Sequence, residues 1–453
     1  MFSPSLDILS GAVLEYLEYD ASLVRWLVAT GGTSLSAALW PLNKRDLAFR
    51  VMSRIHRAGG SDLATRTIQR SLARATHRER SGQSTGLWAC YDAHIRRWLT
   101  DPWSASLVTD PKKLLGYRVL VLKSPRERER GVIAIDYSYI FPLFAGLFDV
   151  ERIARDYYLV LEPSWRGLCT ADILSYSKFE FPVFVQTIEP RDTTFIKSLG
   201  SNLITVPIAA NWWVDHRVMK PDPLVARDLD VIMVAAWSSG KRHWRFFKVL
   251  SQLRNRGHKL KVALVGYAAG RSRADIENYA RHFGLTDQVE FFEGLSAHEV
   301  GRLLARSKVH ILWSRKEGAN RAIIEAMFAN VPIILREGLS YGHPYPYVNG
   351  ETGRFANEDN LAEVLLDMVN NYQHYHPREW ALANMSCQRA TQILEESIRC
   401  VALNAGERWT TGLAVKTVHL DTQHYWDPEE ISRFGKDYIF LESQIRPQPL
   451  DGH

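Results

Sequence analysis

Two carboxylates with seven residues between them, Glu317 and Glu325, stand in the stretch SRKEGANRAIIEAM, Ser314 to Met327. The apolar run VHILWS precedes it, VPIIL follows it, and Ala322, Ile323, Met327 and Phe328 recur at helical spacing. The stretch reads as strand, loop, helix, strand, with Glu317 in the loop and Glu325 about one turn inside the helix. A loop at the carboxyl end of a strand is where ligands bind in open α/β sheets. An ionised carboxylate only accepts hydrogen bonds, so two of them suit a hydroxyl-rich ligand such as a sugar and a ribose. Gly318 lets the backbone approach a ligand closely. The amides of Ala319, Asn320 and Arg321 open the helix and can receive an anion such as a diphosphate. The competing account is structural: glutamate near a helix N-terminus is favoured by the helix dipole.

Other residues invite a chemical reading. Asp136, Tyr137 and Tyr139 follow the strand-like run GVIAI at its carboxyl end, where they could meet a second substrate; a packed tyrosine-rich segment is the plain alternative. Asp228-Leu229-Asp230 matches the D-x-D pattern of metal–nucleotide sites, but it precedes a strand instead of following one and is read as linker. No other carboxylate or histidine cluster has metal-ligand spacing. The four cysteines, Cys90, Cys169, Cys387 and Cys400, form no CxxC pair and no cluster with histidine. Neither a disulfide framework nor a zinc site is expected, which fits a reducing cytoplasm; Cys387 and Cys400 read as buried small hydrophobes.

The elements that must position these residues form two alternating series. YRVLVL, GVIAID, YYLVL, FPVFVQ and NLITV are strand-length runs separated by helix-length segments. DVIMVAAW, KVALVG, VEFFEG, VHILWS and VPIIL make a second set, with helices such as RHWRFFKVLSQLRNRG, closed by Gly257, between them. Alternation of this kind argues for parallel sheets. Ser296 with Glu299, and Asn360 with Glu363, read as helix-opening caps. The fold class is α/β, with two doubly wound Rossmann-like domains. The expected order is a helical N-terminal extension over 1–115, one α/β domain over 116–215, a linker near 208–228, a second α/β domain over 229–390 and a C-terminal helix and tail over 391–453. At 453 residues, 46% hydrophobic and 23% charged, the chain has material for more than one core.

The net charge of +6 is concentrated. Residues 41–80 hold ten Lys/Arg against three acids, an excess larger than that of the whole chain. Arg66, Arg70, Arg74 and Arg78 recur every four residues, with Ile68 and Leu72 on another face. This basic amphipathic pattern over residues 50–80 suits an anionic membrane surface. A solvated or ion-paired face is the plain alternative, and no nucleic-acid partner is expected because no binding motif accompanies the charge. The N-terminus lacks a positive n-region, and the most apolar run is interrupted by Asp136 and Pro142. Neither a signal peptide nor a membrane span is expected.

EGANRAIIEAMFANVPII resembles the E-x7-E segment of GT-B glycosyltransferases, particularly glycosyltransferase family 4. GHPYPYVNGETGRF is similar to the family's glycine-rich stretch after the next strand, and VIMVAAWSSGKRHWRFFKVL to its first strand, basic loop and helix. The resemblance covers about 231–355, extends to 116–215 only through α/β texture, and leaves 1–115 out. It implies a GT-B fold, two such domains facing across a cleft, with the donor on the C-terminal domain and the acceptor on residues 116–215. It implies that Glu317 meets the donor sugar or stabilises charge at its anomeric carbon. Gly318, Ala319, Asn320 and Arg321 would approach sugar and phosphate, and Glu325 would hold the ribose. Lys241 would stabilise the leaving diphosphate, with Ser239 and Gly240 before it offering amides or hydroxyls to phosphate. The departures are specific. The family's arginine five residues before the lysine is Ala236, for which Arg242 is the available substitute. A second glycine after Glu317 is Asn320, and a glutamate before the NG turn is Tyr345. Residues 116–215 hold no histidine, and KSPRERERG stands in place of a glycine-rich loop.

The function expected is transfer of a sugar from a nucleotide-sugar donor to a glycan, lipid-linked or polysaccharide acceptor, with retention of configuration. No metal or other cofactor is expected. The location expected is cytoplasmic, peripheral at the inner face of the membrane. A catalytically silent relative that binds nucleotide or scaffolds an assembly is the alternative.

Overall fold

The ten runs expected to be strands are strands in the computed structural model, which describes residues 4–338, 347–419 and 422–447. The chain divides into two compact units, one of Met1–Tyr16 with Asn211–Arg389 and one of Leu17–Ala210 with Ala390–His453.

The second of these units carries a five-stranded sheet of β1 (Val119–Lys123), β2 (Gly131–Asp136), β3 (Tyr157–Glu162), β4 (Val183–Gln186) and β5 (Leu203–Val206). The strands lie in chain order; β1 is antiparallel to β2, and every later pairing is parallel. β1 to β4 are buried along their whole length, as strands covered on both faces must be.

The other unit holds β6 (Leu229–Val234), β7 (Val262–Gly266), β8 (Val289–Glu293), β9 (Ser307–Leu312), β10 (Ile333–Arg336) and β11 (Gly353–Ala356). Their order is β11-β10-β9-β6-β7-β8, and all pairings are parallel. The chain winds from β6 outward through β8, returns to lay β9 beside β6, and then winds the other way. Right-handed crossovers in opposite directions put helices on both faces. The reversal between β6 and β9 is the topological switch point, where such sheets open a crevice at their carboxyl ends.

Local signals explain several boundaries. Ser296 and Glu299 form the full capping box, as do Ser272 and Asp275. The cap expected at Asn360 does not form. Its side-chain oxygen instead accepts from Asn357 N at 2.8 Å, and Glu363 pairs with Arg256 at 2.8 Å. The segment expected as linker is partly core: Trp212 and Trp213 are fully buried in a short turn of helix.

The helices before β1 include α1 (Pro4–Glu15), α2 (Ser22–Leu39), α3 (Arg45–Ala58), α4 (Asp62–Arg80) and α5 (Leu87–Leu99). α4 is amphipathic as its spacing requires, with Ala64, Ile68 and Leu72 buried and Arg66, Arg70, Arg74 and Arg78 exposed. The C-terminal segment returns to the β1 side as the hairpin of β12 (Lys416–His419) and β13 (Thr422–Tyr425). It is fastened there by Tyr425 Oη donating to Val121 O at 2.7 Å and by Ser124 Oγ donating to Asp437 at 2.7 Å. No helix among the described residues is long and apolar enough to cross a membrane.

Candidate functional site

The loops after β6 and β9 meet at the switch point because those two strands are neighbours. Arg315 N donates to Gly240 O at 3.1 Å, which joins the loops directly. Ser239, Gly240 and Lys241 form one turn of 3-10 helix, with Ser239 and Gly240 exposed. Across that junction Lys241 Nζ forms an ion pair with Glu317 Oε1. The other carboxylate oxygen of Glu317 accepts from Asn320 Nδ2 at 2.9 Å. Asn320 is held in turn by Asn211, whose amide donates to Asn320 O at 3.2 Å. Two of the residues singled out from the sequence, 76 positions apart, are thus in contact.

Gly318, Ala319 and Asn320 lead into the helix Arg321–Phe328 and are half-buried. Asn320 occupies the position before the helix at φ −70° and ψ 117°, ordinary extended backbone. A second glycine is not needed there, and the asparagine side chain orients Glu317 instead. Asn320 Oδ1 is buried without a hydrogen-bond partner. Glu325 lies one turn inside the helix and is half-buried.

Arg242 has a different setting. Its backbone is left-handed at φ 56°, an uncommon conformation for a residue with a side chain. Its guanidinium is 3% exposed and engaged by Glu358 at 2.8 Å and by Glu15 of α1 at 2.5 Å. Burial lowers its pKa, while Glu358 and Glu15 oppose the shift. Arg245 reaches the same two acids, and Trp313 Nε1 donates to Glu358 at 3.2 Å. This network was not expected from the sequence. Glu15 is more than two hundred residues from Arg242, and Glu358 sits in a polar turn after β11 with no spacing to flag it. Ala236 is half-buried in the loop after β6. Tyr345 lies outside the described residues.

Asp228 and Asp230 are taken up by structure. Arg306 grips Asp228 through two hydrogen bonds of 2.8 and 2.7 Å, and Lys308 pairs with Asp230 at 2.6 Å. Both acids stand at the amino end of β6, opposite to the switch-point loops. Among the described residues no group of three or more His, Cys, Asp or Glu could hold a metal ion.

In the other unit Asp136 closes β2 and Glu162 closes β3, directly paired in register, and Gln186 closes β4. Gln186 Nε2 donates to Glu162 at 3.1 Å, Lys416 pairs with Glu162 at 2.6 Å, and Arg118 pairs with Asp136 at 3.3 Å. Burial pushes the Asp136 carboxyl up to about 8; Arg118 opposes this and Glu162 adds to it. Asp136 is 2% exposed, whereas Tyr137 is half-buried, at φ 62°, with the Arg118 guanidinium 4.6 Å from its ring centre. Of the two acceptor-side candidates, Tyr137 is therefore the accessible one. The polar residues ending three successive strands were the available signal for Glu162 and Gln186.

Residues 218–379 match the family model described as Glycosyl transferases group 1. This match includes both switch-point loops. The Vi polysaccharide biosynthesis protein VipC/TviE of Salmonella typhi is 29% identical over 136 residues, 30% of this chain. The matched segment spans 22% of that relative's length. Among solved structures, sucrose-phosphate synthase from Thermosynechococcus elongatus is similar at a TM-score of 0.47 and 15% identity, covering 61% of this chain and 74% of that one. HepE of Anabaena, in complex with UDP, is similar at a TM-score of 0.45 and 14% identity, covering 59% and 79%.

Proposed function

We propose that the protein is a glycosyltransferase that moves a sugar from a nucleotide-sugar donor to a glycan, lipid-linked or polysaccharide acceptor, with retention at the anomeric carbon. The observation that carries this reading is the contact of Lys241 with Glu317 on two adjoining loops at the switch point, followed by a helix that bears Glu325. In the free protein the lysine charge is held by Glu317. A donor diphosphate entering beside the helix amides takes over the lysine, and the released Glu317 turns to the sugar hydroxyls. Glu325 accepts from the ribose hydroxyls. In the reaction the bond from anomeric carbon to diphosphate oxygen breaks and the acceptor oxygen bonds to the same face. The departing diphosphate takes the acceptor proton, so no protein nucleophile is required. Lys241 stabilises the charge that grows on the leaving group.

Tyr137 and Asp136 belong to the acceptor side in this reading. The exposed arginine face within residues 50–80 supports work at an anionic membrane surface. Lys241 supplies the cation that a metal supplies elsewhere, so a chelator leaves turnover unchanged; loss of activity restored by a divalent ion would refute this. The experiment for the donor site is a thermal-shift screen of nucleotide-sugars, repeated with Glu325→Ala. The expected result is a melting shift that the substitution abolishes. No shift with any nucleotide-sugar or nucleoside diphosphate would sink the enzyme reading.

A catalytically silent nucleotide binder remains the second reading. The engagement of Arg242 by Glu15 and Glu358 favours it, because the arginine absent at Ala236 then has no substitute. Donor hydrolysis or transfer above background rules it out.

A further inference from the structure

Helix α2 wears its apolar residues on the outside. Leu23, Trp26, Leu27, Val28 and Leu35 are between 45% and 67% exposed, while the buried residues of the helix are Ala29 and Ser36. Leu23, Leu27 and, after Gly31, Leu35 recur every four residues and make one stripe. The orientation is built in. α2 packs against α3 and α4, and a Cβ on Gly32 would lie 2.5 Å from Ile55 of α3. Ser36 Oγ donates to Ala48 O of α3 at 3.0 Å. Small residues let α2 sit close to its neighbours, and its large side chains are left to face outward. An exposed apolar stripe of this size marks a surface that something covers.

The neighbour on one side says what covers it. Arg66, Arg70, Arg74 and Arg78 of α4 are exposed, and among the described residues no carboxylate pairs with them. Arg74 Nε donates only to Arg70 O at 3.3 Å, and Arg78 Nε to Gln83 at 3.2 Å. Between α2 and α4 lies a cavity of about 370 Å³. Ala37, Trp40, Ile68 and Leu72 give it an apolar lining, and Arg74 and Arg78 belong to its wall as well. Leu23, Leu27 and Leu35 do not line this cavity, but an exposed apolar stripe on α2 and unpaired arginines on the α4 packed against it match one kind of partner, a bilayer with anionic headgroups.

We propose that α2 is an insertion element. It seats its Leu23–Leu35 stripe among lipid acyl chains while the α4 arginines hold headgroup phosphates. The proposal rests on the reading that residues 50–80 meet an anionic surface, and adds the element that enters it.

The test floats the full-length protein with vesicles of phosphatidylcholine alone, or of phosphatidylcholine with about one third phosphatidylglycerol. Binding is expected to the second kind. Arg70→Ala, Arg74→Ala and Arg78→Ala together should lower partitioning on the order of a hundredfold. Leu23→Ser with Leu27→Ser should lower it at least about tenfold and leave only salt-sensitive binding. Both variants should melt as the wild type does, because the replaced side chains are exposed. If the leucine variant binds like the wild type while the arginine variant does not, insertion is wrong and the surface reading survives. If the wild type binds neither vesicle, both fail. If the wild type sediments as a dimer that the leucine variant dissociates, with vesicles unable to compete, a second copy covers α2 and the proposal is overturned.

Discussion

Replacing Glu317 by glutamine should tighten the binding of a bare nucleoside diphosphate while it slows sugar transfer. In the free protein Lys241 and Glu317 are paired, with side chains 19% and 7% exposed. At that depth the attraction is about 4 kcal/mol with an effective dielectric constant near 20. Most of this is offset by the cost of taking both charges out of water, which leaves a net coupling of about 1–2 kcal/mol. A diphosphate that recruits Lys241 must first break this pair. Glu317→Gln removes the competitor and returns part of the coupling, so Kd for the diphosphate should fall about three- to tenfold. Lys241→Ala should raise it only about tenfold, since the charge-assisted contact it loses was already set against the pair it gave up. The glutamine variant should nevertheless lose about a hundredfold or more in kcat if Glu317 stabilises charge at the reacting carbon.

Titration calorimetry with the nucleoside diphosphate, on the wild type, both single variants and the double variant, reads these numbers. Denaturant unfolding without ligand reads the coupling of the pair directly. Equal weakening of diphosphate binding by Glu317→Gln and Lys241→Ala would refute the exchange. So would strict additivity of the two changes in both measurements.

Three further outcomes follow from the same geometry. His310 and His243 are fully buried with both ring nitrogens unpartnered, and burial lowers each to about 3; His56 is lowered to about 4. The unfolded chain therefore binds more protons than the folded one below pH 6.5. The contribution of these rings to stability is full above that value and falls as pH drops toward 4, by up to about 1.4 kcal/mol per unit for each ring. Urea midpoints across this window should fall less steeply in His310→Met; an unchanged slope would contradict the neutral burial. Asp136 has the opposite sign: burial raises its folded carboxyl to about 8, so the folded state holds the extra proton and the Asp136 contribution to stability declines between about pH 4 and 8. Asp136→Asn should become progressively more stable relative to wild type over that range, and a pH-independent difference would contradict it. Asn320→Ala should cost about 1 kcal/mol and lower donor turnover more than donor affinity, because the amide aims Glu317 and does not itself reach substrate; a pure affinity loss would reverse that assignment.

What the sequence made legible was whatever is periodic or contiguous. Ten strands were readable because each is a short uninterrupted run of mainly apolar residues. The switch-point loop was readable because strand, glycine, helix start and two glutamates lie within one short stretch. β11 was missed: its two central residues are exposed, and GRFA has no apolar run. The cap at Asn360 was misread because an asparagine in a polar turn had a nearer backbone donor in Asn357. The outward stripe of α2 was invisible for another reason. Its composition is that of a buried helix, and only the packing of Gly32 against α3 reveals which side faces out.

Arg242 shows the limit most sharply. Sequence order places it beside Lys241, and two adjacent cations after a strand suggest two hands on one diphosphate. The left-handed backbone at Arg242 breaks that inference, because it separates the direction of its side chain from the turn that carries Lys241. Its guanidinium is committed to Glu15 and Glu358, and a buried arginine that leaves such partners gives up both ion pairs while its own charge stays out of water. On the proposed function, one lysine would stand at the leaving group where the family resemblance implies a lysine and an arginine. In that reading the missing charge would cost the transition state, where charge on the diphosphate is greatest, more than ground-state binding. Glu15 acquires significance from the same argument. By holding Arg242 it ties the first helix of the chain to the helix that begins beside Lys241.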